Sequence, residues 1–255
     1  MGSFQLKKQS TSRKKTSAQR RPRGKGAYIP PPEELLRTFS LFELIGGARA
    51  IAADQQARLP SHQKLWCVGD TSLLRNKCIA IVGTREPSSE GATASRRLAQ
   101  EFARAGVVVV SGLAKGIDTE ALSAAIDAGG KVVAVIGTPV DRAYPAQNKR
   151  LQEQIYRQHL LVSQFAPQER VYPSNFPERN RLMAALSDAT AIVEAGDTSG
   201  SLHQAAECVK LGRWLFIAKS VVEDPSLTWP RKFGHEPTVR TFASPEEVLR
   251  TVGAN

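Results

Sequence analysis

Six short, wholly apolar runs rich in β-branched residues alternate with longer amphipathic stretches. Strands that are buried on both faces have this composition, because helices cover both sides of a parallel sheet. The runs are Cys78–Val82, Val107–Val110, Val132–Ile136, Leu160–Val162, Ala191–Val193 and Trp214–Ile217. The stretches long enough for helices are residues 88–105, 118–128, 147–158, 178–187 and 202–211. The pattern predicts an α/β fold with a doubly wound, mostly parallel, Rossmann-like sheet.

Composition divides the rest of the chain around this domain, which we expect over residues 65–222. Residues 1–30 are polar and basic, so they cannot bury enough apolar surface to offset the entropy of ordering, and we expect a disordered tail. Pro30–Pro32 marks a boundary. Apolar positions recur at helical spacing after it, which predicts a short helical cover over residues 31–64. We expect residues 223–255 to be a C-terminal extension, irregular at first and ending in a helix.

Charge is distributed very unevenly between the tail and the rest of the chain. The net charge is +11, and residues 1–30 contain nine Lys or Arg residues and no acid. The other 225 residues contain 26 basic and 24 acidic residues, so the body is nearly neutral. An anion site in the body must therefore be a local arrangement. The tail is compatible both with a solvated segment and with an arm that attracts nucleic-acid phosphates.

Several classes of protein are excluded by what the sequence lacks. It has no apolar run of 18 residues and no apolar stretch behind its basic start, so we expect neither a membrane span nor a secretory signal. Three scattered cysteines, Cys67, Cys78 and Cys208, argue against a disulfide scaffold and favour a reducing cytoplasm. We find no GxGxxG, HExxH or GxSxG motif, and we expect no cofactor, no metal and no catalytic residue.

Small and polar residues follow the predicted strands at their carboxyl ends, where ligands bind in sheets of this type. They include Gly83–Arg85 after the first strand, Ser111–Asp118 after the second and Ser199–Ser201 after the fifth. Glycine lets the backbone approach a phosphate, N–H groups at helix starts attract anions, and arginine grips phosphate with two N–H groups. Each turn alone could equally serve packing, but several turns at one edge predict an anion site.

These stretches resemble the DprA (Smf) DNA-processing family in their order and spacing. The resemblance rests on Val82–Arg85, Ser111–Asp118, Phe176–Arg181 and Ser199–Ser201, together with Gly137, Asp141, Tyr144, Pro145, Asn148 and Val193–Ala195, and it covers roughly Leu65 to Ile217. It implies an extended Rossmann fold and a cytoplasmic protein that binds single-stranded DNA without base specificity. It also implies delivery of that DNA to a RecA-type recombinase, a role in DNA uptake and recombination, and a homodimer.

The resemblance further implies which residues of this chain contact DNA. The implied phosphate contacts are Arg85, Ser111, Gly112, Lys115, Asn180 and Arg181, and the implied pocket-shaping residues are Gly83, Gly112, Gly116 and Gly200, flanked by Ser199 and Ser201. Three roles stay open at this point. Arg179 contacts DNA or pairs with an acid such as Glu194, Asp118 caps the next helix or pairs with Arg85, and Tyr144 stacks on a base or packs within its loop.

The chain departs from the family pattern, which leaves two alternatives to a DNA-binding protein. Leu122 stands where the family usually has histidine, and Leu202-His203-Gln204 replaces the usual continuation after Ser201. The related LOG and lysine-decarboxylase-like enzymes hydrolyse nucleoside monophosphates with a glutamate at the position of Gln204. A neutral amide cannot act as a general base, so Glu194 or Glu207 would have to replace it. The second alternative is a nucleotide-binding sensor, for instance in phage defence.

Overall fold

The computed structural model describes residues 26–45 and 64–254. The strands are β1 Ala27–Tyr28, β2 Leu36–Phe39, β3 Leu65–Gly69, β4 Cys78–Val82, β5 Val108–Ser111, β6 Val132–Ile136, β7 Arg142–Ala143, β8 Leu160–Ser163, β9 Ala189–Ile192, β10 Trp214–Ala218 and β11 Val239–Phe242. The helices are α1 Leu41–Ile45, α2 Ser89–Arg104, α3 Ile117–Asp127, α4 Lys149–Gln158, α5 Asn175–Ala185, α6 Ser201–Lys210, α7 Lys219–Val222 and α8 Pro245–Val252.

Within the described residues, nine strands form one sheet in the order β11-β10-β9-β4-β5-β6-β8-β3-β2. The seven strands from β11 to β8 are parallel, and β3 and β2 add antiparallel to that edge. All six predicted strands are confirmed as β4, β5, β6, β8, β9 and β10. Residues of β4, β5, β6, β8 and β9 are buried along their whole length, as expected for strands covered on both faces. The α/β prediction is therefore confirmed.

The direction in which successive parallel strands are added to the sheet reverses at β4, and the candidate site lies at this point. The chain proceeds from β4 through β5, β6 and β8 on one side, then returns to β9 on the other side of β4. Loops that leave β4 and β9 diverge at this point, and a crevice opens at their carboxyl ends. Helix α2 begins beside this crevice, where the Ser88 side chain caps the helix by accepting a hydrogen bond from the Gly91 N–H at 2.9 Å.

The predicted helical cover is wrong over residues 36–39, which form strand β2. Leu36 to Phe39 pair antiparallel with Val68 to Leu65, because the open edge of β3 supplies a backbone partner and this tertiary pairing outweighs local spacing. Helix α1 follows directly and is confirmed as helical. It begins with a reciprocal cap, in which the Glu43 carboxylate accepts a hydrogen bond from the Ser40 N–H at 2.6 Å. Residues 46–63 of the predicted cover lie outside the described residues.

Two further expectations about the ends of the chain need correction. Most of the predicted disordered tail lies outside the described residues, but Ala27 and Tyr28 form β1 and pair with β7. The Ile29 N–H donates to the Asp141 carbonyl at 2.7 Å, so backbone hydrogen bonding orders this segment. The C-terminal extension was expected to be irregular until its final helix, but Val239–Phe242 form β11, which pairs in parallel with β10 and extends the sheet. The terminal helix is confirmed as α8. In the described part of the chain, no helix is long and apolar enough to cross a membrane.

Candidate functional site

An open cleft with a volume of about 1320 Å³ lies at the carboxyl ends of β4 and β9. Its walls come from the loop after β4, the loop before α5, helix α5 itself and the start of α6. Six of the predicted site residues line it: Gly83, Arg85, Asn180, Ser199, Gly200 and Ser201. The other five predicted residues, Ser111, Gly112, Lys115, Gly116 and Arg181, lie outside this lining.

The buried guanidinium of Arg179 on α5 donates hydrogen bonds to backbone carbonyls near the carboxyl ends of β5 and β6. Arg179 is only 6% exposed. Its Nη1 donates to the carbonyl of Val135 at 2.8 Å and to the carbonyl of Gly112, while its Nε donates to Asn180 Oδ1 at 2.9 Å. The alternatives for Arg179 were a DNA contact and pairing with an acid such as Glu194. The acid whose charge acts on Arg179 is Asp118 and not Glu194, and Arg179 also belongs to the lining of the cleft.

The Asp118 carboxylate faces Arg179 and holds the glycine-rich loop after β5. Asp118 Oδ2 accepts hydrogen bonds from the N–H groups of Gly112 at 3.1 Å and Ala114 at 3.3 Å. Both earlier alternatives for Asp118, capping α3 and pairing with Arg85, are therefore wrong. A Cβ at Gly112 would overlap the Arg179 guanidinium, so a glycine is required where this side chain crosses the loop.

Burial shifts the pKa of both Asp118 and Arg179. Burial raises the pKa of the Asp118 carboxyl, and the Arg179 charge and the loop N–H groups oppose that rise. Burial lowers the pKa of the Arg179 guanidinium, Asp118 opposes this, and the nearby positive charge of Arg85 lowers it further. Arg85 is thus close enough to Arg179 for their charges to interact, and both guanidinium groups line the cleft.

One exposed cation of the cleft, Arg85, lies over an aromatic ring. The guanidinium carbon of Arg85 is 5.9 Å from the centre of the Phe176 ring, and the centres of the Tyr144 and Phe176 rings are 5.4 Å apart. Within residues 26–45 and 64–254, Arg85 forms no ion pair with a carboxylate. Phe176 is a site residue that sequence reasoning missed, although it begins the F-x-x-R-N-R motif.

The predicted cations outside the cleft lining are already paired. Lys115 Nζ lies 3.6 Å from Glu86 Oε1, and Arg181 Nε lies 3.4 Å from Glu207 Oε2. The side chains of Lys115, Glu86 and Arg181 are 54%, 85% and 48% exposed, whereas that of Glu207 is 16% exposed. Gly116 has a positive φ of 83°, and a Cβ there would crowd the carbonyl oxygens of the loop after β4. These residues form the rim of the site, and Gly116 keeps its two loops in contact.

The predicted phosphate contact by the Ser111 side chain is wrong. Ser111 is fully buried, and its hydroxyl donates to the Ile81 carbonyl at 2.7 Å, which joins β5 to β4. The N–H of Gly112 is likewise occupied, since it donates to Asp118. Both residues build the loop from inside and cannot offer these groups to a ligand.

The start of α6 forms the remaining wall of the cleft. The Asn180 Nδ2 donates to the Gly200 carbonyl at 3.1 Å, and the Ser201 hydroxyl donates to the Gly83 carbonyl at 2.9 Å. The Ser199 hydroxyl lies 3.1 Å from that of Ser201. These hydrogen bonds place the N-terminus of a ten-residue helix at the cleft, where the positive end of its dipole favours an anion. The N–H groups of its first turn already donate to Ser199 Oγ and to the Ser199 and Gly200 carbonyls.

The two carboxylates that a hydrolase would need are engaged elsewhere. Glu194 accepts hydrogen bonds from the Ser88 N–H at 3.1 Å and the Ser88 hydroxyl at 2.7 Å, and so supports the start of α2. Glu207 pairs with Arg181 and with Lys210 at 3.1 Å. Neither glutamate lines the cleft. In the described ranges, no group of three or more His, Cys, Asp or Glu side chains is placed to hold a metal ion.

The fold and the site together define a Rossmann-type α/β protein with an open cleft, lined by arginines and aromatic rings, at the switch point of its sheet. The sequence profile of the DNA recombination-mediator protein A family matches residues 54–248. This chain therefore belongs to that family, which confirms the DprA resemblance.

Individual relatives agree with this assignment. The chain is 41% identical over 160 residues to DNA processing protein DprA of Streptococcus pneumoniae and 36% identical over 169 residues to that of Bacillus subtilis. These matches cover 63% and 66% of this chain but only 56% and 57% of the relatives, so the chain spans a little over half of their length.

Solved structures give the same result. The S. pneumoniae DprA crystal structure superposes with a TM-score of 0.72 at 33% identity, over 84% of this chain and 74% of that one. The structure of DNA processing protein A from Helicobacter pylori, described as having a unique single-stranded DNA binding mode, gives 0.70 at 26% identity over 85% and 95%. A molybdenum cofactor binding protein from Rippkaea orientalis, at 0.51 and 15% identity over 70% and 96%, shares the fold alone.

Proposed function

We propose that this protein binds single-stranded DNA along the cleft without base specificity. The observation that carries the proposal is the Arg85 guanidinium lying over the Phe176 ring in an open cleft. A nucleotide strand needs both a cation for its phosphates and an aromatic face for its bases, and this pair offers both at one point. The positive end of the α6 dipole favours a further phosphate nearby, and Lys115 and Arg181 contribute charge at the rim.

The aromatic surface also favours single strands over duplex. A base can stack on Phe176 or Tyr144 only if it is unpaired and turned away from its neighbours, which costs little in a single strand and several kcal/mol in a duplex (on the order of a few per base). The single-stranded DNA binding described for the H. pylori relative supports the same choice.

The wider role is proposed from family membership. We propose that the protein acts in the cytoplasm as a homodimer and passes DNA to a RecA-type recombinase during DNA uptake or recombination. The family description as a recombination mediator supports the recombinase step, and three free, buried cysteines are compatible with a reducing compartment. Light scattering on the purified chain tests the dimer. Recombinase filament assembly on single strands, with and without the protein, tests the transfer.

We propose a binding role and not a hydrolytic one. The engagement of Glu194 and Glu207 outside the cleft supports this proposal. Incubation with nucleoside monophosphates should release no free base. Release that disappears in Glu194→Ala or Glu207→Ala would instead support the phosphoribohydrolase alternative.

Fluorescence anisotropy with labelled oligonucleotides tests the central proposal. Single strands should bind more tightly than a duplex of the same length, and Arg85→Ala should reduce binding to single strands. Equal affinity for both forms would indicate attraction by the basic tail alone and would refute the proposal. Competition by a mononucleotide at low concentration, without strand binding, would favour the sensor alternative.

A further inference from the structure

The loop between β8 and α5, residues 164–174, carries a second pair of a cation and an aromatic ring. The guanidinium carbon of Arg170 lies 5.3 Å from the centre of the Tyr172 ring. Both residues line the same cleft as Arg85 and Phe176. The Tyr172 side chain belongs to a residue that is 49% exposed, so much of this ring is open to a ligand. Neither residue belongs to the motifs that identify the family.

Hydrogen bonds to a buried carboxylate shape the first half of this loop. Gln168 has a φ of 68°, a conformation that costs free energy for any residue other than glycine. Its N–H donates to Asp141 Oδ2 at 2.9 Å, and Asp141 is itself buried before β7. The turn from Ala166 to Glu169 is closed by the Glu169 N–H, which donates to the Ala166 carbonyl at 3.0 Å. These two hydrogen bonds fix the backbone conformation of residues 166–169.

The second half of the loop is tied to the helix that carries Phe176. The Asn175 N–H, at the first residue of α5, donates to the Tyr172 carbonyl at 3.1 Å. The backbone of Tyr172 is thus connected directly to the start of α5, and Phe176 follows on that helix. Two aromatic rings are presented from neighbouring positions, each with an arginine beside it.

The size of the cleft is compatible with more than one nucleotide. Its volume of about 1320 Å³ exceeds the roughly 300–1,000 Å³ that small-molecule sites usually occupy. A site for one nucleotide would need a single stacking surface and a single phosphate position. The second pair of an arginine and a ring has no use in such a site.

We propose that Tyr172, with Arg170 beside it, is a second base-stacking position, so that the cleft binds two nucleotides of one strand. One base stacks on Phe176 and another on Tyr172, while the two arginines contact the phosphates. The ligand is single-stranded nucleic acid of any sequence, because every base has an aromatic face. This inference rests on the proposed function, since it concerns the same cleft.

Three variants of the full chain test the stacking role by anisotropy with an oligothymidylate of about 15 nucleotides, a typical site size. Tyr172→Ala should weaken binding roughly 5- to 150-fold, the range that loss of one stacked base produces. Tyr172→Phe keeps the ring and should stay within about twofold of wild type, as expected when stacking and not the hydroxyl matters. Phe42→Ala is the matched control, because Phe42 is 64% exposed and lies outside the cleft lining; it should have no effect.

A strand without bases separates stacking from a structural role. On an abasic strand of the same length, wild type and Tyr172→Ala should bind equally, since no base remains to stack. An unchanged affinity of Tyr172→Ala on the normal strand overturns the inference. So does an equal loss in Tyr172→Phe, or a loss that persists on the abasic strand.

The same titrations distinguish this inference from the proposed function. If wild type prefers single strands and Arg85→Ala weakens binding while Tyr172→Ala does not, only the second stacking position is refuted. If wild type shows no preference for single strands, the proposed function fails, and the inference fails with it.

Discussion

Two arginines at the same edge of the sheet perform different tasks. Arg179 is buried, donates to the carbonyls of Gly112 and Val135, and faces Asp118. Arg85 is exposed and lies over an aromatic ring in the cleft. Both belong to motifs of the family and carry the same charge. The contrast shows that burial and partners, and not residue type, separate an arginine that supports the cleft from one whose guanidinium is open to a ligand.

The largest expected effect is the loss of stability in Arg179→Met. Without the guanidinium, the buried Asp118 carboxylate loses the positive charge that acts on it, and two carbonyls lose a donor. Removal of one member of a buried pair typically costs about 3–5 kcal/mol of unfolding free energy. Urea denaturation monitored by circular dichroism measures this loss. A variant as stable as wild type would show that the pair is not structural.

A double variant sharpens this test. Asp118→Asn keeps an oxygen that can accept from the Gly112 and Ala114 N–H groups but removes the charge. Arg179→Met combined with Asp118→Asn should therefore be more stable than Arg179→Met alone, because no unpaired charge is left in the interior. Additive destabilisation by the two substitutions would argue that charge pairing is unimportant here.

Arg85→Ala should have the opposite profile, with a loss of binding and little change in stability. The side chain is exposed and forms no ion pair with the described residues, so its removal should alter the unfolding free energy by less than about 0.5 kcal/mol. Loss of a charge-assisted phosphate contact should cost about 1.5–3 kcal/mol of binding free energy, roughly 10- to 150-fold in affinity. Arg85→Lys should retain part of it. Anisotropy and thermal melting, measured on the same samples, check both halves.

The rim cations should matter less, because each already has a carboxylate partner. Lys115→Ala and Arg181→Ala should each weaken binding only about two- to fivefold, in line with the small net value of exposed pairs. Glu86→Gln frees Lys115 and should strengthen binding by a similar factor at low salt. If Glu86→Gln weakened binding, a role for Lys115 in attracting phosphate would be contradicted.

The basic tail should have the smallest effect on selectivity. Deletion of residues 1–25 removes nine cations and no acid, and should reduce the salt dependence of single-strand binding by about 0.7 in log–log slope for each cation that contacts a phosphate. The preference for single strands over duplex should not change, since it originates in the cleft. Titrations at several salt concentrations test this, and a lost preference would move the selective site to the tail.

How far the sequence predicts the fold differs between the centre and the edges of the sheet. Strands such as β4 and β6 are buried on both faces, so each position must be apolar and the run is visible in the sequence. At the edges the signal is weaker. The spacing of Leu36 and Phe39 suits a helix, yet they form β2 because β3 presents a free edge to them. Strand β11 was missed for the same reason, since its residues are partly exposed beside β10.

The candidate site was likewise predicted only in part from the sequence. Gly83, Arg85 and the segment from Ser199 to Ser201 were predicted to lie at one edge because they follow buried strands, and the carboxyl ends of parallel strands share that edge. Asn180, which lies within α5, was predicted from the resemblance to the family alone. The motif also contained Phe176 and Arg179, but it did not distinguish their tasks. Only the tertiary structure decided that the Ser111 and Arg179 side chains are buried and hydrogen-bonded within the protein, whereas Arg85, Phe176 and Tyr172 are open to the cleft. Those outcomes depend on contacts among residues distant in the chain, such as Arg179 with Val135, and such contacts exist only once the sheet and α5 have packed together.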